Sequence, residues 1–185
     1  PKEIEEYTRN YIDAFYVMSK NNPKHRAHTK YNLIPVEANT RIVVTIRNIK
    51  HIIEIIKCFH TVPCVGYGFI QIRNRLKEEY KELQGKEIAV IRKSGIEVTE
   101  EYEHPLFCYI GDTNEWVFTN PEISKTLSKY PVLMCECSFI TDEQLEQAKR
   151  KKHIHIQNIE HIIHDNKDKT FILYHFSDRY ETQQI

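Results

Sequence analysis

Four side chains suited to metal binding or acid–base work, His60, Asp112, Glu136 and His175, each follow a short apolar run: residues 52–59, 105–110, 131–135 and 170–174. Short and mostly apolar, these runs read as strands, so each polar residue would project from a strand's C-terminal end. In layered α/β folds that edge is where ligands and catalytic groups collect, because the backbone leaves the ladder there and opens a crevice. Neutral imidazole and carboxylate suit zinc, and a set containing an aspartate that can bridge two ions suits a binuclear hydrolytic site. A histidine after a strand is equally open to a plain hydrogen-bonding role, and spacing alone leaves both readings standing.

The elements that must position these groups are legible in outline. Residues 2–19 place Ile4, Tyr7, Tyr11, Ala14, Phe15 and Met18 at spacings of three and four, the pattern of an amphipathic helix. Residues 21–28 have the composition of a loop, in which His25 and His28 read as solvated. Strands are expected over 42–46 and 52–59, with a turn around Asn48-Ile49-Lys50, and over 66–72. A helix interrupted by Gly85 is expected over 77–93. Further strands follow at 105–110, 131–135 and 170–174. Asp142 is the expected N-cap of a helix reaching Lys152, and a second helix covers 156–164. No Gly-, Pro- or Ser-rich linker and no internal repeat divides the chain, which therefore reads as one α/β unit over 1–185.

Composition narrows the function classes. At 185 residues, 41% apolar and 28% charged, the chain has the size and balance of one globular domain able to bury a core. No run approaches the length of a membrane span, and residues 1–6 lack the apolar stretch of a signal peptide. The 26 basic residues cancel the 26 acidic ones, so any contact with nucleic acid must come from a local patch. The densest is Lys149-Arg150-Lys151-Lys152, open to reading as a solvated helix face or as a phosphate contact. Five cysteines (58, 64, 108, 135 and 137) without a CxxC pair imply free thiols in a reducing compartment, the cytoplasm being the simplest. Cys135 and Cys137, two apart on a strand, read as buried thiols without chemistry.

Five words in order, His60-Thr61-Val62-Pro63-Cys64-Val65-Gly66-Tyr67, Gly111-Asp112-Thr113, Glu136-Cys137-Ser138-Phe139, His153-Ile154-His155 and His175-Phe176-Ser177-Asp178-Arg179-Tyr180, carry a family resemblance. Together they resemble ribonuclease Z, the tRNA 3′-processing endonuclease of the metallo-β-lactamase superfamily. The stretch from Leu76-Lys77-Glu78-Glu79-Tyr80 to Lys93-Ser94-Gly95-Ile96-Glu97-Val98-Thr99 is similar to its short, plant-type members. The resemblance implies an α/β fold of the metallo-β-lactamase αββα sandwich type, of which this chain is the C-terminal half or larger part. It implies Zn2+, two per complete site, with His60, Asp112 and His175 as ligands and Asp112 bridging. His153 would give a proton to the leaving 3′ oxygen, and Glu136 would orient it. Ser177 and Arg179 would line the phosphate side of the pocket, where Arg179 is equally open to a carboxylate partner; His155 would support the site or touch substrate. Lys151 and Lys152 would meet the RNA backbone. Pro63 and Gly66-Tyr67 would shape the backbone carrying His60. Precursor tRNA is the implied partner, and a homodimer is expected.

One departure limits this reading. The family's zinc motif His-x-His-x-Asp-His does not occur in these 185 residues. Truncation of a longer polypeptide at the N-terminus is the expectation, and with it weak zinc binding and little nuclease activity for these residues alone. Nor is a Gly-Pro-rich tRNA-gripping arm visible over residues 73–99, between His60 and Asp112. Two alternatives stand beside the nuclease: a metallo-β-lactamase-fold hydrolase of broader substrate range, and a non-catalytic RNA-binding or dimerisation fragment.

Overall fold

A computed structural model of the chain describes residues 1–19 and 32–181, the side chains of residues 16, 17 and 19 excepted. The loop expected over 21–28 lies outside the described residues. Among them one mixed sheet of six strands dominates, in the order β1-β2-β3-β4-β5-β6. β1 (Arg41–Ile46) and β2 (Ile49–Lys57) form a hairpin whose two turn residues, Arg47 and Asn48, both have positive φ, at 50° and 64°. That is the conformation a two-residue turn needs to match the strand twist. β2, β3 (Val65–Leu76) and β4 (Thr99–Ile110) continue the antiparallel meander, while β5 (Val132–Glu136) and β6 (Thr170–Tyr174) run parallel to β4.

Helices make the parallel connections. α3 (Trp116–Thr119) and α4 (Pro121–Leu127) link β4 to β5; α5 (Leu145–Lys151) and α6 (Ile156–Asp165) link β5 to β6. Their apolar sides close one core on the sheet, with Val117, Phe118, Ile123, Leu127, Ile154 and Ile159 against Ile56, Ile70, Cys108, Ile110, Leu133 and Cys135. A smaller cluster, Val36, Ile53, Ile55 and Val65, covers the other face near β2.

This topology gathers the expected site residues at one edge. Three parallel strands end together, Ile110 level with Cys135 and Glu136 with Tyr174. β3 runs the other way beside β4, with Tyr67 opposite Tyr109, so the β2–β3 connection that carries His60 reaches the same edge. Close approach there depends on glycine. A Cβ on Gly66 would lie 2.7 Å from the Tyr109 carbonyl oxygen, and one on Gly111 2.7 Å from Cys64 Sγ.

Four boundaries differ from the expectations, each for a physical reason. β2 begins at Ile49 because the turn is Arg47-Asn48, and it stops at Lys57, so His60 sits three residues beyond the strand, just ahead of a bend at Thr61-Val62. The helix expected from residue 77 starts only at Gly85 (α2, Gly85–Lys93), where the Gln84 N–H donates to Glu87 Oε2 at 2.8 Å. β4 begins at Thr99 and runs through Pro105, which the ladder accommodates at an irregularity where Phe69 faces Phe107 but Ile70 faces Pro105. Asp142 lies in a short 3-10 turn (Asp142–Gln144) ahead of α5 and accepts from Gln157 Nε2 instead of capping. The N-terminal helix forms as α1 (Glu5–Ser19), but its Tyr7, Tyr11 and Met18 are exposed.

Replacing Gly66 by Ala should force the β3 and β4 backbones apart and lower stability by about 1–3 kcal/mol, the usual range for overpacking. A lower urea midpoint at unchanged slope is the expected result; an unchanged midpoint would mean the contact relaxes at no cost.

Candidate metal centre

Asp112 follows β4, Glu136 ends β5 and His175 follows β6, while His60 comes from the β2–β3 connection. A fifth group, His153, arrives from the α5–α6 link. α5 stops at Lys152, whose φ of 55° is left-handed, and the His153 N–H then returns to the Ala148 carbonyl at 3.1 Å. A bridge between Phe139 and His155 fixes this link to the segment after β5. The rings of His60 and His153 lie 4.7 Å apart between centroids, and those of His153 and His175 5.6 Å.

The three expected ligands share this edge without forming one tight triplet. One ligand atom from each of His60, Asp112 and His153 falls within 4.8 Å of the others, and Glu136, His153 and His175 form a second such group. Asp112 joins the two groups, because its Oδ1 is also 3.8 Å from His175 Nδ1. His60 Nδ1 faces the Lys152 carbonyl at 3.2 Å, and Thr61 Oγ1 lies 3.4 Å from its Nε2. Donation from Nδ1 to that carbonyl makes Nε2 the acceptor nitrogen, facing the Thr61 hydroxyl.

Glu136 behaves differently from a ligand. It is wholly buried, and five donors address its two oxygens. Oε1 receives the Thr113 N–H at 3.2 Å, the Ile154 N–H at 3.2 Å and His153 Nδ1 at 2.7 Å. Oε2 receives the Ser138 N–H at 3.0 Å and the Ser138 hydroxyl at 2.9 Å. A carboxylate offers about four lone-pair positions, so nothing remains for a cation. The bond to Glu136 raises the pKa of His153, partial burial opposes it, and the carboxylate charge adds to the rise.

The remaining expected residues separate into lining and scaffold. A cavity of about 240 Å³ opens beside the site, lined among others by Lys151, His153, His175, Ser177 and Arg179. Arg179 Nη1 donates to Gln147 Oε1 at 3.1 Å, so its partner here is neither a carboxylate nor empty solvent. Lys152 contributes its carbonyl to His60 and its left-handed backbone to the turn. His155 is fully buried, and both ring nitrogens are engaged: Nε2 with the Thr141 carbonyl at 3.0 Å, Nδ1 accepting from the Gln157 N–H at 3.2 Å. It caps α6, and neither ring nitrogen is free to meet a substrate here. Cys135 and Cys137 are buried and free, and burial pushes each thiol up to about 12, so neither offers a thiolate.

Three residues of the motif words had no role assigned from sequence. Thr113 accepts the Phe59 N–H at 2.8 Å and so joins the His60 segment to Asp112's loop. Ser138 touches Glu136, His153 and His175. Tyr180 holds the C-terminal word in place by accepting the Ile140 N–H at 2.9 Å. Small hydroxyl residues directly after or near acidic ones, in Gly-Asp-Thr and Glu-Cys-Ser, were the only available signal.

Because folding raises the pKa of His153, the pair with Glu136 contributes its full stability below the unfolded imidazole value of about 6.5 and loses it as pH rises through the higher folded value. Urea titrations across that window should show stability falling in the wild type and not in His153→Asn. A parallel fall in the variant would assign the effect to another group.

No family model matches the chain. It is 33% identical over 127 residues to "tRNase Z TRZ2, chloroplastic" of Arabidopsis thaliana, covering 68% of this chain and 36% of that protein. It is 31% identical over 157 residues to "tRNase Z TRZ1" of the same plant, covering 84% of this chain and 55% of that protein. The chain thus spans about a third to about half the length of these relatives. Among solved structures it overlaps a human tRNase Z, short form, at 16% identity and TM-score 0.42, covering 77% of this chain and 42% of that one. It also overlaps the metallo-β-lactamase fold protein YhfI from Bacillus subtilis at 12% identity and TM-score 0.46, covering 89% and 51%. By sequence, this chain is a homologue of tRNase Z proteins along most of its own length.

Proposed function

We propose that the chain supplies one side of a zinc-dependent phosphodiesterase site that releases the 3′ trailer of precursor tRNA. The observation that carries this reading is the convergence of His60, Asp112 and His153 within 4.8 Å of one another, with His175 beside Asp112 and His153 at the same edge. His60, Asp112 and His175 fit zinc by donor type, and the Asp112 and His175 side chains remain partly exposed at the edge. Zinc bound there would supply Lewis acidity and lower the pKa of water.

The chain's own residues do the rest. Glu136 holds the Nδ1 proton of His153, leaving Nε2 to exchange a proton with a departing 3′ oxygen. The raised pKa of His153 keeps a larger share of it protonated near neutrality. Lys151, Ser177 and Arg179 line the adjoining cavity, and a guanidinium beside a hydroxyl suits a phosphate group. Free, mostly buried thiols suit a reducing compartment, and a two-fold partner would be a second copy of this chain.

Two histidines and one aspartate cannot fill two coordination spheres. These 185 residues alone should therefore bind zinc weakly and leave precursor tRNA uncut, whereas a polypeptide that adds His-x-His-x-Asp-His should cut it. In that longer protein Asp112→Ala should lower cleavage more than about 100-fold, beyond the loss usual for residues outside the metal shell. Chelator-sensitive cleavage by the 185 residues, or full activity of Asp112→Ala, would overturn the proposal.

A further inference from the structure

We propose that Ser138 is a positioning residue that fixes the tautomer of His175, so that the ring carries its hydrogen on Nδ1 and turns the Nε2 lone pair outward. A serine hydroxyl has one hydrogen to donate and lone pairs that accept. Ser138 is buried, and its Oγ lies 2.9 Å from Glu136 Oε2, 3.0 Å from His175 Nδ1 and 3.3 Å from His153 Nδ1. Three backbone N–H groups and His153 Nδ1 already address the Glu136 carboxyl, so its oxygens act as acceptors and Oε2 takes the Ser138 hydrogen. The hydrogen on His153 Nδ1 goes to Glu136 Oε1 at 2.7 Å, which makes its longer approach to Ser138 secondary. His175 Nδ1 can then meet Ser138 only as a donor. Asp112 Oδ1, at 3.8 Å from the same nitrogen, is too far to compete.

The backbone supports the same role. His175 has φ of +61°, a left-handed conformation that costs energy in a residue with a side chain and persists only where its surroundings impose it. The segment of Ser138 imposes it from both sides: the Cys137 N–H donates to the Tyr174 carbonyl at 2.8 Å, and the Ser177 N–H donates to the Ser138 carbonyl at 3.1 Å. His175 is thus gripped before, after and at its own ring by two consecutive residues. Free neutral imidazole in water favours the opposite form, with hydrogen on Nε2, which would turn an N–H toward the edge where a cation needs a lone pair. Ser138 acts through His175; the use of the lone pair rests on the zinc reading above, but the tautomer does not.

The test is two-bond ¹H–¹⁵N correlation spectroscopy of the ¹⁵N-labelled 185-residue chain without metal at pH about 8, above the imidazole reference value of about 6.5. Wild type should show His175 as the Nδ1–H form. Ser138→Ala should shift it toward Nε2–H and weaken apparent zinc binding by about 10–100-fold, the range for a lost outer partner of a metal-ligating histidine. Ser138→Thr, which keeps the hydroxyl, should restore both, separating this role from general destabilisation. His175 as mainly Nε2–H in wild type overturns the proposal even if Ser138→Ala does not fold, as does an unchanged Nδ1–H form in a folded Ser138→Ala. A tautomer that shifts as expected in a chain that binds no zinc would uphold the role of Ser138, the zinc reading being tested separately by Asp112→Ala in the longer protein.

Discussion

A charge without water around it must find its hydrogen bonds inside the protein, and the buried Glu136 carboxylate is where this molecule meets that demand. Its five donors come from three segments distant in sequence: the loop after β4, the residues after β5, and the α5–α6 link. Satisfying it draws those segments to one point. Removing any donor would leave the charge under-solvated, so the loops that carry Asp112, Ser138 and His153 have few other arrangements open to them. Glu136 thereby orders the site from behind without belonging to its surface.

The sheet makes this convergence possible. Parallel strands β4, β5 and β6 deliver three chain segments to one edge, and the antiparallel β3 returns the His60 connection to the same place. Gly66 and Gly111 let the backbones there approach more closely than a Cβ would permit. Imidazole hydrogen bonds finish the arrangement. His60 faces the Lys152 carbonyl, His153 faces Glu136 and His175 faces Ser138, in each case through Nδ1. Three rings from three parts of the chain are thus held in the same sense, which is the orientation expected of groups that work through Nε2.

Much of this was legible in the residues, for reasons tied to particular positions. The runs before Asp112, Glu136 and His175 are short and apolar and each stops at a polar or glycine residue, so strand ends could be placed within a residue or two. Residues 99–104, by contrast, carry mostly charged and polar side chains in a ribbon that buries little, and Pro105 looked like a beginning when it is a paired position beside the irregularity at Leu106. α3 and α4 escaped notice although Asn120-Pro121 carries a start signal, the Asn120 side chain accepting from Glu122 and Ile123 and the proline occupying the first turn. His153 and His155 are two letters of one word, and nothing local distinguishes the ring that faces the edge from the ring that caps α6. Ser138 and Thr113 stand in the motif words, but their roles were not readable there because a hydroxyl's partner is a tertiary fact. The apolar spacing of α1 predicted a helix correctly but not that Tyr7, Tyr11 and Met18 would stay exposed.

Zinc-edge anomalous diffraction from crystals of the chain soaked in zinc tests this division of roles most directly. A peak at roughly 2.0–2.2 Å from the Nε2 of His60 or His175 and from an Asp112 carboxylate oxygen, with Glu136 still holding its donors, is the predicted result. A peak coordinated by Glu136, with its hydrogen bonds to Ser138 and His153 broken, would contradict it.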